Sequence, residues 1–140
     1  MPSIERISSS VDVKAWKDTL PLHYKYTAGI AGQRFMSGLK KGKIIASRCS
    51  ICKTGYIPPK LYCTNCFKKV EDFEEVTEKG KVVAIANGEK PYCFVIFEGF
   101  KGGIVHFASE NCKNGDIVKP VFKAEKDRVG RITDILYFEP

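Results

Sequence analysis

Cys49-Ser-Ile-Cys52 and Cys63-Thr-Asn-Cys66 are two C-x-x-C pairs separated by ten residues. Two residues between paired cysteines let one tight turn aim both sulfurs at a single point. Two such knuckles close a tetrahedron around one ion, with zinc–sulfur distances of about 2.3 Å. The ten-residue spacer makes a short hairpin, which is the spacing of a rubredoxin-like zinc ribbon. With sulfur at all four positions no site remains for water or substrate, so the zinc is expected to be structural, one per chain. Rubredoxin-type iron fits the same four ligands. Two disulfides would need an oxidising compartment, and the polar N-terminus, with Glu5 and Asp12, does not read as a secretory signal. Thioredoxin-like chemistry would need one pair opening a helix after a strand, not two in tandem. The remaining cysteines stand alone. Cys93, in the apolar run Tyr92–Phe97, reads as a small buried hydrophobe, and Cys112 reads as a loop residue.

The rest of the 140-residue chain is globular in composition, with 44% hydrophobic and 28% charged residues. No apolar run reaches the ~18 residues of a membrane span, and the expected location is the cytoplasm. Charge is distributed unevenly. Residues 14–69 carry a balance of +11, residues 70–140 a balance of −3 and residues 1–13 a balance of −1. A basic half of this kind suits a polyanionic partner such as a nucleic acid or a phosphorylated cofactor, or else is a solvated surface that aids solubility.

Three parts follow along the chain: a helical lead over 1–47, the zinc ribbon over 48–70 and an all-β part over 71–140. Asp12 is placed to cap a short helix from Val13 to Thr19, which Pro21 ends. A second helix is expected from about Ala31 to Lys41, with Phe35, Met36 and Leu39 as its apolar stripe and Gly42 at its stop. Lys43 to Arg48 then reads as a strand delivering Cys49. Beyond the ribbon, strands are expected at Val76–Ala86, Tyr92–Glu98, Gly103–Ala108, Ile117–Ala124 and Ile132–Glu139. Turns such as Asn87-Gly88, Gly102-Gly103 and Asn114-Gly115 separate them. Five short strands in about seventy residues suggest a five-stranded Greek-key barrel of the OB type, with a partly open sandwich as the alternative. The expected class is therefore mainly β with N-terminal helices, a rubredoxin-like zinc ribbon and then an OB-fold barrel.

Read together, Phe35-x-x-x-Leu39-x-x-Gly42-x-Ile44, Arg48-Cys-x-x-Cys, Tyr56-x-Pro-Pro-Lys60 and Cys63-x-x-Cys66 precede the five strands. This pattern resembles the acyl-CoA-associated zinc-ribbon/OB-fold family (domain of unknown function thirty-five). The segment Leu22-His-Tyr-Lys-Tyr-Thr-Ala-Gly29 is similar to its archaeal, thiolase-associated branch. The resemblance implies a non-catalytic accessory subunit that binds coenzyme A or acyl-CoA. It implies association with a thiolase, and in archaea with hydroxymethylglutaryl-CoA synthase, so that acyl-CoA intermediates pass without release. Many members carry Arg after the two prolines, where Lys60 keeps the charge but loses the bidentate fork. On this reading Arg34, Lys40, Lys43, Arg48 and Lys60 supply a basic surface for the cofactor's phosphates, with Tyr24, Tyr26 and Phe35 beside it.

The competing class is a zinc-ribbon/OB-fold protein that binds nucleic acid, since such barrels stack bases on aromatics over a basic groove. Two features weigh against it. The barrel half is net acidic, and Phe94, Phe97, Phe107, Phe122 and Phe138 fall mostly at core-like strand positions. An enzyme in its own right is not expected, because His23 and His106 are the only histidines and neither sits in a nucleophile or metal motif.

Overall fold

The computed structural model describes residues 14–140. Asp12 and Val13, the expected start of the first helix, lie outside the described residues. Residues 14–19, where that helix would continue, have no regular structure, and the whole stretch from 14 to 28 is exposed. A helix needs an apolar stripe to bury, and isolated short helices are marginal in water. Trp16, the large apolar residue of that stretch, is 91% exposed.

The helix that does form, α1, runs Gly29–Lys40. Ala31 and Leu39 are buried, and Phe35, between them at the same i+4 spacing, packs on the core. Met36 points away and is exposed, so the stripe is Ala31, Phe35 and Leu39 rather than the one expected from the sequence. The end is a Schellman motif: Gly42 N–H donates to Leu39 O and Lys43 N–H to Gly38 O, both at 2.9 Å. Gly42 sits at φ +74°, which a β-carbon would resist.

Nine strands follow and form two sheets. The first sheet has the order β3-β1-β2-β6, from β1 (Ile45–Arg48), β2 (Gly55–Ile57), β3 (Asp72–Glu75) and β6 (Phe100–Gly102). β1 is antiparallel to β2 and β3, and β2 is parallel to β6. The second sheet has the order β7-β5-β4-β8-β9, from β4 (Gly80–Asn87), β5 (Pro91–Phe97), β7 (Ile104–Phe107), β8 (Ile117–Phe122) and β9 (Ile135–Glu139). Its outer strands meet through a parallel bridge, Ala108 with Phe138, and through Ser109 N–H donating to Phe138 O at 2.9 Å. That contact closes a five-stranded barrel: a three-strand meander, then a fourth strand returning beside the first, then a fifth lying parallel to the third. A bulge between Val82 and Ala84 supplies the bend that closure demands of a long strand.

Besides β2, which lies inside the expected ribbon hairpin, two strands lie where none was expected. β3 is the acidic run Asp72-Phe-Glu-Glu, and β6 is three residues long and borders Gly102-Gly103. Two of the expected strands start three or more residues later than predicted: β4 begins at Gly80, and Ile132–Asp134 is a 3-10 turn ahead of β9. One core runs from Leu39 on α1 through Ile44, Ala46 and Ile57 to Val82, Val95, Val118, Ile135 and Phe138 of the barrel. A smaller one holds Cys49, Tyr56, Cys63 and Val70. No helix among the described residues is long and apolar enough to cross a membrane.

Candidate metal centre and the basic surfaces around it

The two C-x-x-C turns have the same backbone. Cys49 N–H donates to Thr54 O at 2.9 Å, and Lys53 N–H returns to Cys49 O at 2.9 Å. In the second turn Cys63 N–H donates to Lys68 O at 2.9 Å, and Phe67 N–H to Cys63 O at 3.0 Å. In each, the residue after the second cysteine is left-handed: Lys53 and Phe67 both have φ 60°. N–H groups also point at sulfur, from Cys52 to Cys49 Sγ and from Asn65 to Cys63 Sγ, each at 3.4 Å. The four sulfurs lie within 4.8 Å of one another, a set positioned to bind a metal ion. Cys49 and Cys63 are buried, whereas Cys52 is exposed.

Tyr56, fully buried on β2, supports the set from beneath. Its hydroxyl lies 3.3 Å from Cys63 Sγ and 2.9 Å from Thr64 Oγ1, and it accepts the Thr64 N–H at 3.0 Å. The Tyr56 hydrogen bond, with the Cys66 N–H next, pulls the Cys63 thiol down to about 6. Cys52 is pushed up to about 12, first by its hydrogen bond to Cys66 and then by burial. A soft cation takes its sulfur ligands as thiolates, the form that the Tyr56 hydrogen bond favours at Cys63 and that the Cys66 hydrogen bond disfavours at Cys52. Sequence reasoning did not single out Tyr56 as a support for the thiols. Its signal was the short spacing to Cys63, which puts a strand residue under the second knuckle.

The other two cysteines behave as packing residues. Burial, with Cys112 second, pushes the Cys93 thiol up to about 11, and burial raises Cys112 as well. His106 is half-buried, its Nε2 lies 3.0 Å from Ile132 O, and its ring meets Phe107 and Phe138 edge-on. His23 is exposed on the lead.

The residues expected to form a basic surface are distributed over several places. Tyr24 and Tyr26 stack on each other at 6.0 Å on the extended lead. Arg34 and Lys43 line a groove between α1 and β3, where Arg34 lies over Phe73 at 5.5 Å and Lys43 pairs with Glu75 at 3.4 Å. Lys40 lines a cleft of about 510 Å³ at the start of α1, with Ile30, Met36 and Val129. Phe35 is half-buried against the main core. Arg48 ties three elements together: Nε donates to Glu74 Oε1 at 2.7 Å, Nη1 donates to Lys53 O at 2.8 Å, and the guanidinium covers Phe100 at 4.8 Å. Lys60 lies over the Tyr56 ring at 5.5 Å, facing the barrel. The aromatics of the barrel also differ from expectation. Phe97 and Phe138 are core, but Phe94, Phe107 and Phe122 are only half-buried.

No family model matches the sequence, and no curated protein matches it significantly. Solved structures do. One is the Ltp2-ChsH2(DUF35) aldolase, 21% identical over 76% of this chain and 91% of that chain, with a TM-score of 0.50. It corrects the expectation that no enzymatic activity attaches to such a chain, because the same fold occurs in a structure described as an aldolase. The expectation rested on the resemblance to a non-catalytic accessory subunit and on the two histidines, His23 and His106, standing outside any nucleophile or metal motif. Another is the crystal structure of a DUF35 protein of unknown function from Sulfolobus solfataricus, with a TM-score of 0.61. It is 30% identical and covers 66% of this chain and 77% of that chain, and on this likeness the chain belongs to the DUF35 family.

Proposed function

We propose that this chain is a coenzyme A-thioester-binding subunit of an assembly that makes or breaks carbon–carbon bonds, partnered by a thiolase-like enzyme and, in the archaeal arrangement, by hydroxymethylglutaryl-CoA synthase. The observation that carries the reading is the fold shared with the Ltp2-ChsH2(DUF35) aldolase over 91% of that chain. Chemistry supports it. Aldol and thiolase reactions act next to an activated carbonyl, and a thioester carried on a phosphorylated nucleotide needs cations at one end and an apolar track at the other. The chain offers both, with a basic half at +11 and exposed apolar side chains at Leu20, Leu22, Tyr24 and Tyr26 along the lead. The metal set is zinc held by Cys49, Cys52, Cys63 and Cys66, with a structural role, because four sulfurs leave no open position.

The test is isolation of the native protein with whatever accompanies it, followed by calorimetry with coenzyme A and with a single-stranded oligonucleotide. The reading expects an acyl-CoA enzyme in the preparation and saturable coenzyme A binding. Oligonucleotide binding that falls steeply with salt, with no coenzyme A binding, would replace it by the nucleic-acid reading.

A further inference from the structure

We infer that the seam between the ribbon and the barrel holds the nucleotide end of the thioester ligand, its phosphates on Lys60 and Lys101 and its base on Phe94. The inference rests on the functional reading above and adds where the ligand lies. The seam encloses about 360 Å³ between the β2 end of the ribbon and β5–β6.

Electrostatics select this place over the other clefts. Two lysines line it and no acid does. Among the described residues neither lysine has a carboxylate within ion-pair distance. The groove holding Arg34, Lys41 and Lys43 also holds Glu74 and Glu75. The cleft at Lys90 contains Glu110 and Glu139, and that at the start of α1 has Lys40 as its one charged lining residue. A dianionic phosphate is therefore attracted most where two unopposed cations converge.

The backbone presents both lysines from fixed positions. Lys60 follows Pro58 and Pro59, and its N–H donates to the buried Ser47 Oγ at 2.8 Å. Lys101 is the register partner of Tyr56 across the parallel β2–β6 pair. Thr64, hydrogen-bonded to Tyr56, lines the same seam. Gly102 and Gly103 let the backbones that border the seam approach closely. At Gly102, with φ +86°, a β-carbon would strike Ile57 O, and at Gly103 one would strike Val95 O and then the Phe94 ring.

Phe94 also lines the neighbouring shallow cleft on the outer face of the barrel, so one ring is shared by both. Register places Ala84, Phe94 and Val105 in one row across β4-β5-β7, and Ala86, Tyr92 and Phe107 in the next. None of these six side chains is charged, and Phe94 stands where this plate meets the seam lysines. The plate suits an adenine ring against Phe94, since any base presents a π face for stacking.

Calorimetry on the full, metal-loaded chain tests this with coenzyme A, ADP, pantetheine and a single-stranded oligonucleotide as probes. Coenzyme A and ADP are expected to bind and pantetheine is not. Lys60→Ala and Lys101→Ala should each lower coenzyme A affinity about tenfold, the loss expected for one charge-assisted contact. Lys60→Glu with Lys101→Glu should abolish binding, whereas Lys113→Ala should leave it unchanged. Both seam lysines are exposed, so these variants keep the fold, which the melting temperature verifies. Unchanged coenzyme A affinity in the double variant would overturn the seam assignment and leave the functional reading intact. Failure of the wild type to bind coenzyme A or ADP would overturn both. So would oligonucleotide binding, lost in the same variants, in place of coenzyme A binding.

Discussion

Asp134 is the buried charge on which the last barrel connection depends, and its removal has a calculable cost. Its side chain is fully buried at the entry to β9. Oδ1 accepts Val129 N–H at 3.0 Å, and Oδ2 accepts Gly130 N–H at 2.7 Å and Arg131 N–H at 3.2 Å. Asp134→Ala strands all three donors. The Gly130 N–H is in a buried contact and costs about 1–3 kcal/mol when orphaned, while the two half-buried donors regain water and lose about 0.5 kcal/mol each. The sum is about 3 kcal/mol, or a melting temperature about 10 °C lower for a domain of this size. Asp134→Asn keeps one acceptor oxygen and should lose about half as much. The pH dependence has a definite sign. Burial raises the Asp134 pKa, but the N–H groups of Val129, Gly130 and Arg131 outweigh it and hold the carboxyl below its usual range. The stabilisation is then complete above the unfolded-state value and is lost as pH falls through the lower folded value. Scanning calorimetry of wild type and Asp134→Ala between neutral and strongly acid pH should show the gap narrowing only at the acid end. A gap under about 2 °C at neutral pH would refute the count of stranded donors.

Phe67→Gly should raise stability by about 1 kcal/mol, because Phe67 is exposed and left-handed with φ 60° and glycine removes that strain. Chemical denaturation measures it, and a loss of stability would show that the ring packs on something. Trp16→Ala should change stability by no more than about 0.5 kcal/mol, since a side chain 91% exposed buries nothing. Trp16 is the single tryptophan, so its emission should be that of a solvated indole in the free chain and shift to the blue when a partner covers the lead. An emission already blue in the isolated chain would contradict its exposure.

What could be read in advance follows from how local each determinant is. The metal turns are legible because four side chains two and ten residues apart specify their own geometry. The barrel strands are legible where apolar alternation is strong, as over Pro91–Phe97 with its buried Cys93, Val95 and Phe97. β3 is not, since Asp72, Glu74 and Glu75 make an acidic edge whose pairing to β1 is closed by Arg48 with Glu74 and Lys43 with Glu75. Those are tertiary partners that composition alone assigns to a loop. β6 is invisible for the same reason, being three residues long and held by a parallel partner more than forty residues away. The lead helix fails in the opposite direction: Asp12 and Pro21 mark its ends in the sequence, but among the described residues nothing covers Trp16. At the candidate ligand site, Lys60 is conspicuous after two prolines, whereas Lys101 is one of 23 basic residues and only the β2–β6 pairing brings it opposite the ribbon.

That pairing also makes removal of the metal a test of how the parts are coupled. Around the thiols the apolar support is small, limited to Tyr56 and Val70 with the cysteines themselves. Metal binding to zinc-finger modules contributes about 10–16 kcal/mol, comparable with the about 5–15 kcal/mol that holds a whole domain, so stripping the metal is expected to unfold the knuckles. β2 carries Tyr56 into that core and Ile57 into the main one, and β6 is held by β2 alone within its sheet. Loss of the metal should therefore free Tyr56, then β2, then Lys101 on β6. The barrel keeps its own closure through Ala108 and Phe138. Hydrogen exchange after chelation should show Gly55–Ile57 and Phe100–Gly102 losing protection while Pro91–Phe97 and Ile135–Glu139 retain it, with coenzyme A affinity falling in parallel. Uniform loss across both sheets would mean that the barrel has no independent stability. Protection retained at Tyr56 would mean that the thiols do not hold the ribbon.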